Sequence, residues 1–320
     1  VRVRATSMGI SCSYSPSPDV ALTRTDGVAG SESTPLLLFW KETDFSTGTL
    51  GSPYKTSTPA GGIGDYADAP YNTETDYPAD NSRVVVMGLC PSAMTTADSH
   101  TTYSLPSRAG LTDVLVTPNG VTGSRKQPFG RALEFAHAAV RIVLKARRTD
   151  NTVGKLYVKN LKLTVPARLV CGGVKWDTGT KQYLAAPAAA DLVINHFGQI
   201  LSTEDTQVAV FYLTPCSPAD LLTDLTGTGG TPGLTLTADV AKDINFTTGA
   251  RNASFPILDG NLNFMDQFGS PATQLKGGES YETTLKFDID SFTLEGEEKE
   301  WEDGGKMTVP VVVPEPTPGP

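Results

Sequence analysis

The stretch Lys155–Val165 (KLYVKNLKLTV) decides how this chain is read. Leu156 and Val158 alternate with Tyr157 and Lys159; beyond Asn160, Leu161, Leu163 and Val165 alternate with Lys162 and Thr164. A period of two is that of a strand, whose successive side chains leave opposite faces of a sheet. The apolar parity switches at Asn160, which predicts a bulge at that residue. The same texture continues on either side. Ala138, Val140, Ile142 and Leu144 alternate with Arg141 and Lys145, and Leu285, Phe287 and Ile289 alternate with Lys286, Asp288 and Asp290. Such segments put one face on a core and the other in water. Arg83–Cys90 (RVVVMGLC), Leu36–Trp40 (LLLFW) and Gln207–Leu213 (QVAVFYL) are apolar on both parities, as strands covered on both sides are. Only Pro218–Leu225 (PADLLTDL) reads as a short helix, with Pro218 near its first turn and Asp220 suited to its N-terminus. The chain is predicted to be all-β, built as antiparallel sandwiches.

Length and composition set the scale. The 320 residues include 31 Gly and 23 Pro, with 39% hydrophobic, so cores are affordable and about two domains are expected. Residues 117–128 (TPNGVTGSRKQP) read as the linker. The expected division is an N-terminal domain 1–125, a C-terminal domain 126–306 and an extended Pro-rich tail 307–320. The net charge of −9 argues against a nucleic-acid groove or an anionic membrane surface, both of which want clustered Lys and Arg. No apolar run approaches the ~18 residues of a spanning helix. Residue 1 is Val, so an export signal or a lipid-bearing Cys is expected upstream, and any membrane attachment through it. Cys12 follows Gly9-Ile-Ser, a poor lipidation context. A Cys12–Cys90 and Cys171–Cys216 pairing would respect the two domains; four buried thiols is the other reading.

Catalytic templates fail one after another. Gly227–Gly233 (GTGGTPG) is followed by neither Lys-Ser/Thr nor a helix, so it cradles no phosphate. No G-x-S-x-G or H-E-x-x-H occurs, and His100, His137 and His196 stand far apart. Asp288-x-Asp290 begins like a calcium loop, but Phe292 and Lys299 fall where oxygen ligands are needed. No enzyme activity, cofactor or metal is expected. The long segment 46–80 carries Tyr54, Tyr66, Tyr71 and Tyr77, either as anchors of a ligand-binding loop or as packing on the sheet surface.

Three ordered stretches resemble the fimbrillin family of Bacteroidales, the subunits of type V pili. Asp113-Val-Leu-Val followed by Leu133-Glu-Phe-Ala-His-Ala-Ala-Val-Arg-Ile resembles the junction into that family's second domain. Val208–Pro215 resembles a central strand of it. Gly277-Gly-Glu-Ser-Tyr-Glu-Thr-Thr-Leu-Lys-Phe with Trp301-Glu-Asp-Gly resembles its ending, and Leu22-Thr-Arg-Thr resembles the Thr-Arg segment after the first strand. The resemblance implies two tandem transthyretin-like β-sandwiches and export to the outer membrane and cell surface as a lipoprotein. It also implies a fimbrium built with other pilin subunits by donor-strand exchange, with host or bacterial surface receptors as further partners. Shaft, anchor and tip roles stay open.

In that family an arginine-directed cut removes the first strand and opens a groove for another subunit's extended segment. Here Met8, Ile10, Cys12 and Tyr14 alternate with Ser7, Gly9, Ser11 and Ser13, a first strand with one apolar face. Arg24 best matches the processing site, with Arg4 as the alternative. Residues 7–14 are expected to fill the groove in the uncut chain. In Met307–Val313 (MTVPVVV), Val309, Val311 and Val313 share one parity and make the donor-strand candidate; packing within its own domain is the alternative. A different class of function, a carbohydrate- or ligand-binding surface lipoprotein on the same scaffold, would use the Tyr-bearing segment.

Overall fold

The computed structural model describes residues 2–6, 9–13, 35–47, 50–57, 67–69, 78–98, 100–105, 107–124, 126, 132–148, 156–196, 199–221, 233–241, 245, 251–256, 273–287 and 292–299. The first elements in chain order are β1 (Arg2–Thr6), β2 (Gly9–Ser13), β3 (Leu36–Lys41), α1 (Glu42–Ser46), β4 (Lys55–Ser57), β5 (Ala67–Ala69), β6 (Val84–Cys90), β7 (Thr95–Asp98) and β8 (Thr102–Ser104). Next come β9 (Leu115–Val116), β10 (Val121–Gly123), β11 (Ala132–Glu134), β12 (Ala136–His137), β13 (Val140–Arg148), β14 (Leu156–Val165), β15 (Cys171–Asp177) and β16 (Gln182–Pro187). The last are β17 (Leu192–His196), β18 (Gln199–Leu201), β19 (Thr206–Leu213), a 3-10 turn at Pro218–Leu221, β20 (Thr235–Ala241), β21 (Arg251–Pro256), β22 (Ser280–Phe287) and β23 (Phe292–Lys299). The expected helix at 218–225 is thus a single turn as far as it is described. The one α-helix among the described residues, α1, is a five-residue piece that periodicity could not announce.

The chain forms two compact units, Val1–Ala139 with Cys171–Ala186, and Val140–Val170 with Pro187–Pro320. It therefore passes between them after Ala139, Val170 and Ala186, and the junction expected near residue 125 lies inside the first unit. Residues 117–128 are no free linker either: Val121–Gly123 forms β10 and pairs with Val84–Val86 of β6.

In the first unit β6 organises a six-stranded sheet of order β12-β9-β6-β3-β4, with β10 also on β6. All seven residues of β6 are buried, which is the meaning of its unbroken apolar run. Gly88 sits where a Cβ would lie 2.3 Å from the Phe135 ring, so the strand needs a residue with no side chain there. A second sheet has the order β16-β15-β8-β7 and a third β11-β1-β2-β5.

In the second unit one sheet has the order β19-β13-β22-β23 and the other β17-β14-β20-β21, with β18 also on β14. Alternate residues Val140, Ile142, Leu144 and Ala146 of β13 are buried, as are Tyr281, Thr283, Leu285 and Phe287 of β22. The β13–β22 pair is parallel, the exception among described pairings to the expected antiparallel order. A parallel pair requires a long crossover, and most of the second unit's chain lies between these two strands. In β14 the bulge falls as the parity predicts. Asn160 takes φ 51, and the register against β20 shifts between Lys159 and Lys162. Leu156, Val158, Leu161, Leu163 and Val165 all stay buried across it. The extra residue re-phases the strand so that both halves present apolar residues to one core.

Candidate functional site

The N-terminal strands occupy the middle of the sheet β11-β1-β2-β5. Strand β1 pairs with β2 over five positions, from Arg2↔Ser13 to Thr6↔Gly9. On its other side it pairs with β11 through Arg2↔Glu134, Val3↔Leu133 and Arg4↔Ala132. Strand β2 pairs with β5 through Ile10↔Ala69, Ser11↔Asp68 and Cys12↔Ala67. Residues directly opposite in an antiparallel ladder share a face. Val3, Ala5, Ile10 and Cys12 therefore hold positions on one face together with Leu133, Ala67 and Ala69. Arg2, Arg4, Ser11 and Ser13 hold positions on the other face with Glu134 and Asp68. The apolar positions of β1, β2 and β5 fall on one parity together with Leu133, while Ala132, opposite Arg4, falls on the other.

Of the first-strand residues read from sequence, Ile10 and Cys12 lie in β2, while Met8 and Tyr14 lie outside the described residues. The sequence reading begins the first strand at residue 7; the ladder adds β1 ahead of it. Arg4 sits inside β1, with backbone partners on both sides. Arg24, Val309, Val311 and Val313 lie outside the described residues, as do Tyr66, Tyr71 and Tyr77. Tyr54 is described, stands just before β4 and is 41% exposed.

Another constellation escaped the sequence reading. The hairpin β15–β16 brings Trp176 and Tyr183 against Trp40, Phe45 and Tyr103. Ring centroids stand 5.2 Å apart for Trp176–Tyr183, 5.5 Å for Phe45–Trp176 and 5.8 Å for Tyr103–Tyr183. The Tyr183 hydroxyl donates to the His100 carbonyl at 2.6 Å, and Tyr103 Oη lies 2.8 Å from His100 Nδ1. Burial pushes both phenols above their ordinary range. Nothing in local periodicity signals this cluster, because its members come from three separated stretches, β3–α1, β8 and the hairpin β15–β16.

His137 Nδ1 lies 2.6 Å from Asp113 Oδ2, so two residues of the motif at the expected junction bind one another and tie β12 to the start of β9. Cys90, Cys171 and Cys216 are buried thiols, with no bond between Cys171 and Cys216. Burial pushes the thiols of Cys171 and Cys216 up to about 12, which leaves them protonated and unreactive at neutral pH. Among the described residues no group of three or more His, Cys, Asp or Glu could hold a metal ion. No described helix is long and apolar enough to cross a membrane.

No family model and no curated protein matches the chain. Solved structures similar to it include a fimbrial protein from Bacteroides vulgatus, with TM-score 0.49 and 12% identity over 93% of this chain and 99% of that one. A candidate cell adhesion protein from Bacteroides uniformis gives TM-score 0.49 and 12% identity over 85% and 92%. The tip fimbrial protein of Porphyromonas gingivalis, truncated at its C-terminus, gives TM-score 0.38 and 9% identity over 84% and 94%. The structural neighbours of the chain are thus fimbrial and adhesion proteins.

Proposed function

We propose that this chain is a structural subunit of a cell-surface pilus, exported as a lipoprotein, that assembles after proteolysis by exchange of β-strands with other subunits. In this reading the two units are transthyretin-like sandwiches. The subunit serves as shaft, anchor or tip, and its activity is an interface rather than a catalytic centre.

The observation that carries the reading is the central position of β1 and β2 between β11 and β5. A cut after Arg24 separates residues 1–24 from the rest of the chain, and their departure leaves the inner edges of β11 and β5 with unpaired N–H and C=O groups. Exposed edges of this kind recruit another chain's backbone. Arg4 suits the protease less well, because both neighbours of its strand already hold its backbone and a cut there would free only the first residues. Met307–Val313, whose Val309, Val311 and Val313 would present one apolar parity, is in this reading the segment this chain offers to another subunit.

The test is incubation of the purified chain with an arginine-specific protease, followed by mass and by size. Cleavage after Arg24 together with oligomers supports the reading. A chain that keeps residues 1–24 bound after the cut overturns it.

A further inference from the structure

The width of the opening carries a second conclusion, which rests on the excision reading. In the order β11-β1-β2-β5 the flanks are separated by three inter-strand steps, roughly 14 Å at the usual strand spacing. A single incoming strand reaches a neighbour on each side over only two steps, roughly 10 Å. It can complete the ladder of β11 or that of β5, not both. We infer that the opening takes a two-stranded β-hairpin supplied by a partner chain, and that one extended tail does not fill it.

The chemistry of that hairpin follows from the occupant in place. Each of its strands is about as long as β1 and β2, five residues apiece. Apolar residues stand in the registers of Val3, Ala5, Ile10 and Cys12, which share a face with Leu133, Ala67 and Ala69. The strand beside β11 carries a cation in the register of Arg2, opposite Glu134. Both strands are inner strands, paired on both edges, so neither tolerates a proline. The chain's own Met307–Val313 contains Pro310, which an inner strand does not tolerate. That segment therefore suits neither inner position of the opening.

The experiment uses the full chain cut after Arg24, with residues 1–24 washed away, and two synthetic peptides, residues 1–15 and residues 305–320. Hydrogen exchange at 67–69 and 132–134 reads the two flanks, and native mass spectrometry reads stoichiometry. The inference expects one copy of the 1–15 peptide to restore protection at both flanks. It expects one copy of the 305–320 peptide to leave at least one flank as fast as in the empty chain. One tail peptide that protects both flanks equally, or two tail peptides bound together that do so, overturns it. Where the arginine-specific protease leaves residues 1–24 attached, the excision reading falls by itself. The width is then tested on a full-length variant carrying another protease's site in place of residues 20–26.

Discussion

Two pieces of the first unit meet partners far off in sequence, the pair β1–β2 and the hairpin β15–β16. The pair β1–β2 comes from the N-terminus, and its described bonds to the flanks are short backbone ladders on β11 and β5. The hairpin β15–β16 comes from beyond Val170 and is anchored by side chains. Cys171, Val174, Trp176 and Tyr183 are all buried, and Lys181 Nζ reaches the Ser46 carbonyl at 3.1 Å. Its backbone is committed as well. Gly173 takes φ 146, and a Cβ there would lie 2.0 Å from the Tyr103 carbonyl oxygen, so β15 and β8 approach at a distance that only glycine permits. Ladder bonds can be handed to another strand at little net cost, since the newcomer remakes them. A buried aromatic cluster has no such substitute. The contrast is between ladders that the proposed reading would have exchanged and a buried cluster that holds β15–β16 in place.

The largest expected effect strikes the hairpin β15–β16. Trp176→Ala removes a ring that packs on Phe45 and Tyr183 and is 6% exposed, and should cost about 3–5 kcal/mol. Urea unfolding gives the magnitude, and hydrogen exchange gives the place. Protection should fall across β8 and β15 together. Loss confined to β1 and β2 would reverse the assignment of the two pieces.

Alkaline pH should find the same piece. The Cys171 thiol is raised from 9.0 to about 12, mainly by burial, with the Asp113 carboxylate adding to the rise. The Tyr103 and Tyr183 phenols are raised above 10.0 by burial too. The folded state thus holds these protons more tightly than the unfolded chain does. Its advantage is complete below the unfolded values and drains away as pH climbs past 9 for the thiol and 10 for the phenols. The steepest slope a single group can add is about 1.4 kcal/mol per pH unit. Urea midpoints taken from about pH 8 to about pH 11 should fall, and a Cys171→Ala variant should fall less steeply.

Much of the fold is written in single strands. The alternation in 155–165 placed β14 and its bulge at Asn160, and the unbroken run of 83–90 gave the buried β6. Both succeed because they depend on one strand's own parity. Partnership is another matter. Cys171–Asp177 (CGGVKWD) would suit a core in either unit, and its membership of the first is decided by Tyr103 and Phe45, far off in sequence. Val121–Gly123 hides among Pro, Asn, Gly and Ser because three residues are too few to show a period. The parallel β13–β22 pair is invisible for the same reason that sheet order is: both directions of pairing ask for the same alternation. At the candidate site the alternation in 7–14 carries no information about partners, and the four-stranded order β11-β1-β2-β5 is a property of pairing.

A smaller perturbation addresses the pair β1–β2. Phe135 follows β11 directly and rests on Gly88, where an added Cβ would meet the ring at 2.3 Å. Gly88→Ala should push that ring and with it the flank of β1, costing about 1–3 kcal/mol as overpacking does. Exchange should quicken at 2–6 and 132–134 while 171–177 stays protected. Equal quickening in both would mean the two pieces are coupled and the contrast is false.

The finest test stays inside the aromatic cluster. Tyr183→Phe keeps the ring and its neighbours, Trp40 at 6.4 Å, Tyr103 at 5.8 Å and Trp176 at 5.2 Å. It deletes only the hydroxyl that donates to the His100 carbonyl at 2.6 Å. The carbonyl loses that donor, so the expected cost is about 1 kcal/mol. Because His100 is held at φ 65 in the turn before β8, exchange should quicken mainly at 100–104. The variant also removes one of the buried phenols that titrate in alkali, so its urea midpoint should decline less between about pH 10 and about pH 11 than the parent's. A cost as large as that of Trp176→Ala would mean the hydroxyl, and not ring burial, pins the hairpin. In that event the difference between the hairpin β15–β16 and the pair β1–β2 would be one of hydrogen bonding on both sides.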